Sequence, residues 1–178
     1  KEKEKKITKY LIKRDFNSIE LTKTYDLYVG EKLSKFQFRI IVPVYFKREL
    51  VTYLGRDITN KSPLKYLNCP IEESKIPIKN CLYNLDSVKD QAIIVEGVTD
   101  VWRIGKGCIA TFGIQYTKEQ LSLLIGLKKA FVLFDKDAAE RSESLANDLS
   151  CFIDSVEVLE LDKGDPADMT PIDALKLR

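Results

Sequence analysis

Apolar positions in the second half of the chain come in short runs. Ala92-Ile93-Ile94-Val95 stops at Glu96-Gly97, Gly107–Phe112 stops at Gly113, and Ala130–Phe134 stops at Asp135-Lys136-Asp137, while Val156–Leu161 closes the series. Between them, Thr99–Ile104, the stretch opening at Thr117 and Ala138–Ser150 read as helices. Gln120 stands three residues after Thr117, the spacing of a capping box. Short apolar runs separated by helical patterns and short loops predict a parallel sheet buried on both faces. Such sheets carry ligand sites at the carboxyl ends of their strands. Neighbouring strands lie ~5 Å apart. With 92–95 beside 130–134, Glu96, Asp135 and Asp137 crowd one edge, where a divalent cation relieves their repulsion.

The first half has a different rhythm. Residues 1–35 suit two amphipathic helices, the first through Ile7, Tyr10, Leu11 and Arg14, the second capped at Asn17-Ser18 and stopped by Gly30. From Phe36 to Phe46 the apolar residues Phe38, Ile40, Val42, Val44 and Phe46 alternate, which predicts a strand. Pro43 within it points to an edge strand or a bulge. Lys47-Arg48-Glu49 turns the chain into a second strand, Leu50–Ile58, and residues 59–80 read as an irregular ordered segment. Cys81-Leu82-Tyr83 fits a third short strand. The change of rhythm sets two domains, 1–90 and 91–178.

Charge sharpens that division. Residues 1–90 carry 19 Lys/Arg against 12 Asp/Glu, and residues 91–178 carry 10 against 15. A basic half joined to an acidic half suits one part holding a polyanion and another holding cations, although a charged tail and solvated helices account for some of the bias. No apolar run approaches the ~18 residues of a membrane span, and Lys-Glu-Lys-Glu-Lys-Lys at the start is no signal peptide. The chain does not begin with Met and contains only Met169, which suits a piece of a longer protein. Four cysteines without a Cys-x-x-Cys pair, and no His, exclude a zinc site of the usual Cys/His kind. Free buried thiols are expected instead. The lack of His also excludes Ser-His and Cys-His catalysis, leaving carboxylates, Lys, Arg or a metal.

The acidic positions form three motifs: Glu96-Gly97-x-x-Asp100, Asp135-x-Asp137, and Asp165-Pro166-Ala167-Asp168. In Asp135-x-Asp137, alternate residues of an extended strand end share one face. Any one motif is weak by itself, and their conjunction after buried strands is what counts. Ile93–Gly97, Ala110–Gly113 and Leu133–Arg141, the last reading Asp-x-Asp-Ala-Ala-x-Arg, resemble the Toprim domain in its bacterial, DnaG-like primase form. The segment 163–168 is similar to the acidic Asp-Pro segment that closes that domain, with an Ala intervening before Asp168. Arg39–Tyr45, Gly55–Ile58, Pro63–Asn68 and Lys79 with Leu82-Tyr83 resemble the subdomain that precedes Toprim in these primases.

The resemblance implies an α/β fold, a Rossmann-like parallel four-stranded sheet with flanking helices, preceded by a smaller α+β subdomain. It implies template-directed primer synthesis from nucleoside triphosphates on single-stranded DNA, with Mg2+ or Mn2+ as cofactor and a replicative helicase, separate or fused, as partner. Asp135 and Asp137 are the implied principal metal ligands, with Glu96 a ligand or proton acceptor and Asp100, Asp165 and Asp168 completing the site. Arg56, Lys65, Asn68 and Lys79 are the implied contacts to template and nucleotide phosphates in a basic groove facing the metal site. Tyr66, Leu67, Tyr83 and Trp102 are expected to pack. The implied location is the cytoplasm of a bacterium or of a phage host. Two other readings remain: a Toprim nuclease using similar acids to cut, and a nucleic-acid-binding fragment inactive without a zinc-binding module that this sequence lacks.

Overall fold

The computed structural model describes residues 2–31, 33–161 and 164–177. They form two compact units, one comprising the chain up to Val44 with Glu49–Ile78, the other Tyr45–Arg48 with the chain from Lys79 onward. The units part at 78/79, ahead of the 90/91 boundary expected from the strand–helix rhythm.

The first unit opens with helices α1 (Glu2–Lys13) and α2 (Ser18–Thr24). Ile7 and Leu11, four residues apart, are the buried face of α1, while Lys5, Lys9 and Lys13 stay exposed. Asn17 caps α2, its side chain accepting from the Glu20 amide at 3.2 Å. The helical region ends at Thr24, before Gly30, because a short strand intervenes: β1 (Tyr28–Val29) pairs antiparallel with β2 (Arg39–Phe46). Gly30 is required there for lack of space. A Cβ at this position would lie 1.8 Å from the Phe36 carbonyl oxygen. In β2, Ile40, Val42 and Val44 alternate as fully buried positions.

The sheet order is β1-β2-β3-β4, with β3 spanning Glu49–Asp57 and β4 spanning Tyr66–Asn68. Thus β2 is an interior strand, against the edge position that Pro43 suggested. Its proline is tolerated because β1 reaches only Ile40 and Ile41, so on that side Pro43 lies beyond the last pair. The segment expected to be irregular contributes β4, which pairs antiparallel with β3 through Leu54–Asn68, Gly55–Leu67 and Arg56–Tyr66. Arg39 is buried, donating to the Gly55 carbonyl at 3.1 Å and the Ser62 hydroxyl at 2.8 Å.

The second unit is the expected alternation: β5 (Gln91–Val95), α3 (Val98–Ile104), β6 (Cys108–Ala110), α4 (Lys118–Ser122), β7 (Lys129–Val132), α5 (Ala139–Leu149) and β8 (Ser155–Val158). A further helix, α6 (Pro171–Lys176), was not foreseen. Strand order is β6-β5-β7-β8, all parallel, with Ile94 opposite both Ile109 and Val132. Residues 92–95 of β5 are all buried, as a strand covered on both faces requires. Helix α5 packs on β7 and β8, and its buried Ser142, Leu145, Ala146 and Leu149 recur at helical spacing on one face. Thr117 and Gln120 form the capping box. The expected strand 81–83 reduces to one antiparallel bridge between Tyr83 and Ala110. Cys69, Cys81 and Cys108 are buried free thiols, but Cys151, just past α5, is exposed.

Candidate functional site

Strand order places β5 between β6 and β7, so the chain leaves β5 first to one side and later to the other. Open α/β sheets form a ligand crevice at the carboxyl end of such a switch. Glu96 sits at that point. Its carboxylate accepts from the Asp135 amide at 3.1 Å, and its carbonyl accepts from the Gly113 amide at 2.9 Å. Three strand ends therefore meet through one residue. Thr111 completes the junction, its hydroxyl donating to the Gly113 carbonyl at 2.8 Å and lying 3.3 Å from that of Val95.

The electrostatics follow from this crowding. Glu96 is half-buried, and burial, followed by the negative charges of Asp135, Asp137 and Asp165, pushes its carboxyl up, opposed by the Asp135 amide. Asp100, in the first turn of α3, is 5% exposed and accepts from the Gly97 amide at 2.8 Å. Burial first, then Asp135, Asp165 and Glu96, raise it to about 7. Gly97 allows the close turn, since a Cβ there would meet Asp100 Oδ2 at 3.1 Å. Asp165 caps the turn Pro166–Asp168, accepting from the Asp168 amide at 3.0 Å. The charge of Asp165 acts on both Glu96 and Asp100. Lys163 lies outside the described residues.

Asp137 differs from expectation in geometry. Strand β7 ends at Val132, and Lys136–Ala138 form a turn of 3-10 helix, so Asp135 and Asp137 do not alternate along an extended end. Asp137 is exposed and still close enough for its charge to raise Glu96. Among the described residues no three acidic or thiol side chains converge into a ready cation cage. Beside Asp135 lies a cleft of ≈ 350 Å³ between the ends of β7 and β8, with Lys136, Ala139, Ser142 and Leu161 in its lining.

The basic residues are distributed differently. Arg56 is 4% exposed in the first unit, where Nε donates to the Tyr10 hydroxyl at 2.6 Å and Nη1 to that of Tyr66. Both rings also face the guanidinium, at 5.8 and 5.0 Å. Arg56→Met is therefore expected to lower the stability of the first unit by roughly 2 kcal/mol. A denaturant titration followed by far-ultraviolet circular dichroism checks this, and an unchanged midpoint contradicts it. Lys65 and Asn68 are exposed in the same unit, Lys65 just before β4 and Asn68 as its last residue. Lys79 belongs to the second unit. Its Nζ donates to the carbonyls of Phe112 and Gln115, each at 2.9 Å, bracing the loop after β6, and burial lowers its pKa. Tyr66 and Leu67 are half-buried, while Tyr83 and Trp102 pack, the indole donating to the Tyr83 hydroxyl at 3.0 Å.

Sequence reasoning did not single out Thr111 or Arg103. Thr111 is an unremarkable residue between Ala110 and Phe112 with no periodicity to expose it. Arg103 left a signal, an arginine in a helix otherwise made of core residues; it is 7% exposed and donates to the Ala167 carbonyl.

The fold and site define a mixed α/β protein with an antiparallel four-stranded sheet, a parallel four-stranded sheet, and carboxylates gathered at the switch point of the latter. Residues 1–89, half of the chain, match the family described as DNA primase catalytic core, N-terminal domain. The chain belongs to that family. It is 32% identical over 123 residues to a DNA primase of Clostridium acetobutylicum, a match covering 62% of this chain and 20% of that protein. The chain thus spans about a fifth of the length of this curated relative. Among solved structures, the DnaG primase catalytic domain bound to ssDNA superposes with a TM-score of 0.71 at 20% identity, over 91% of this chain and 66% of that one. The Aquifex aeolicus primase zinc-binding and RNA polymerase domains give 0.64 at 24% identity, over 90% and 44%. The primase fragment of the bacteriophage T7 primase-helicase gives 0.67 at 12%, over 89% and 67%. At these identities the structures speak for the fold.

Proposed function

We propose that the chain is the catalytic core of a DnaG-type primase, with the second unit a Toprim domain and the first its N-terminal basic subdomain. On this reading it joins nucleoside triphosphates into primers on single-stranded DNA by metal-dependent nucleotidyl transfer. The observation that carries the reading is the junction at Glu96. There the ends of β5 and β7 are tied by the Glu96–Asp135 hydrogen bond, and five carboxylates act on one another. Membership of the primase family supplies the reaction class.

The donor set fits Mg2+ or Mn2+. It is made of carboxylate oxygens, which suit hard cations, and Glu96 and Asp100 are raised by burial first and by their acidic neighbours second, a repulsion that a cation relieves. Asp135 and Asp137 are the principal ligands on this reading, with Asp100, Asp165 and Asp168 behind them. A bound cation supplies charge stabilisation at the α-phosphate and at the expelled pyrophosphate. Glu96, pushed up by its surroundings and oriented by the Asp135 amide, takes the proton of the attacking 3′ hydroxyl. Lys65 and Asn68 contact template or nucleotide phosphates from the first unit. Arg56 supports that surface through Tyr10 and Tyr66, while Lys79 braces the loop 112–115 of the second unit.

The DnaG structure bound to ssDNA and the T7 primase-helicase suggest the partners: a single-stranded template and a replicative helicase, in the cytoplasm where such replication occurs. No helix among the described residues is long and apolar enough to cross a membrane. The test incubates the purified chain with labelled nucleotides, single-stranded template and Mg2+ or Mn2+. Oligonucleotide products are expected. Shortened template instead makes the chain a nuclease, and a gel shift without either product makes it a binding module.

A further inference from the structure

We infer that Arg103 is a positioning residue, clamping the turn Pro166–Asp168 against α3 and so carrying Asp165 to the acidic edge. This rests on the reading of that edge as a cation site.

The turn cannot hold itself. It is a single three-residue 3-10 turn, far below the length at which a helix is self-supporting. Its anchorage is to α3, the element it packs against most, with Pro166 and Ala167 buried. Every residue of α3 is buried, Arg103 among them, and a buried guanidinium persists only where its donors are used. Nε donates to the Ala167 carbonyl at 3.1 Å, across 64 residues of sequence. That carbonyl belongs to the middle residue of the turn that Asp165 caps, so fixing one fixes the other. The charge of Asp165 in turn reaches Glu96 and Asp100. The same helix thus supplies Asp100 from its first turn and holds Asp165 from its last.

The clamp is tested first without metal, by hydrogen exchange on the intact chain. The amides of Asp168 and Met169 donate to the Asp165 and Pro166 carbonyls at 3.0 and 3.3 Å. In Arg103→Gln these two amides are expected to exchange at least about tenfold faster while those of β5 and β7 keep their rates. Arg103→Lys, which keeps a buried cationic donor, stays within about threefold of the parent. Unchanged exchange in Arg103→Gln overturns the clamp. Arg103→Met, which keeps an aliphatic stem in the buried helix, takes its place if the Gln variant does not fold.

Mn2+ titration by electron paramagnetic resonance tests the consequence. Arg103→Gln and Asp165→Asn are each expected to weaken the Mn2+ midpoint about tenfold, and the double variant no further, because both remove the same carboxylate from the site. Multiplying effects overturn the inference, since Arg103 then acts elsewhere. A parent that takes up no Mn2+ removes the cation reading instead, and the exchange experiment still decides the clamp.

Discussion

Replacing Asp135 and Asp137 together by Asn is expected to abolish primer synthesis while leaving the fold intact. On the proposed reading the loss should reach about 10³-fold or more, because both principal cation ligands disappear at once. The fold survives for reasons visible at the junction. The tie to Glu96 is made by the backbone amide of Asp135, which Asn retains, and Asp137 is exposed. Both charges also raise Glu96, so their removal relieves repulsion rather than creating it. The thermal midpoint should therefore hold or rise. The measurement is primer yield from purified variant and parent, with circular dichroism alongside. Synthesis retained in a folded double variant sinks the assignment of these residues.

Asp100→Asn is expected to stabilise the protein in the absence of divalent cations, and only above acid pH. The folded-state pKa of Asp100 is raised to about 7 from an ordinary value of 3.8. Between those values the native state holds a proton that the unfolded state has released, so parent stability falls as pH rises. The contribution of the protonated carboxyl is fully present below the unfolded value and lost as pH passes the folded one. Asn cannot ionise and keeps an oxygen for the Gly97 amide. The variant should match the parent near pH 3.5 and exceed it by roughly 2–4 kcal/mol at pH 8. Urea titrations at the two pH values measure this. A gap of the same size at both would mean that burial of charge is not its source. On the proposed reading, added Mg2+ narrows the gap at pH 8 by stabilising the ionised parent.

Much of the second unit was legible because each of its elements carried its own signal. The runs 92–95 and 130–134 stop at carboxylates, the 117–120 capping box forms, and α5 buries one face. The first unit was less legible. Strands β1 and β4 are two and three residues long, too short to show a period, and exist because longer strands offer them hydrogen bonds. Pro43 misled because edge and interior are properties of a neighbour's length, which a local pattern does not encode. At the site, residue types announced the carboxylates, but their microscopic arrangement did not follow. Asp137 turned out to lie in a 3-10 turn and Asp100 to be buried, since strand ends and burial are settled by packing. The resemblance implies a phosphate contact at Arg56, where the structure has a buried guanidinium held by Tyr10 and Tyr66, a position that only tertiary structure reveals.

The hydrogen bond between Glu96 and Asp135 spans 39 residues of sequence. It closes only after β5 and β7 have found their register, and parallel pairing of distant strands is slow compared with local helix formation. The acidic edge is therefore among the later features to appear as the chain folds. Helix α3 can form while its Asp100 is still apart from Asp135 and Asp137. A newly made chain thus carries no concentrated negative site until its sheet is closed, and on the proposed reading divalent cations gain a preferred binding state only in molecules that have finished folding. Refolding followed through β-sheet formation and through Mn2+ uptake should share the same slow phase.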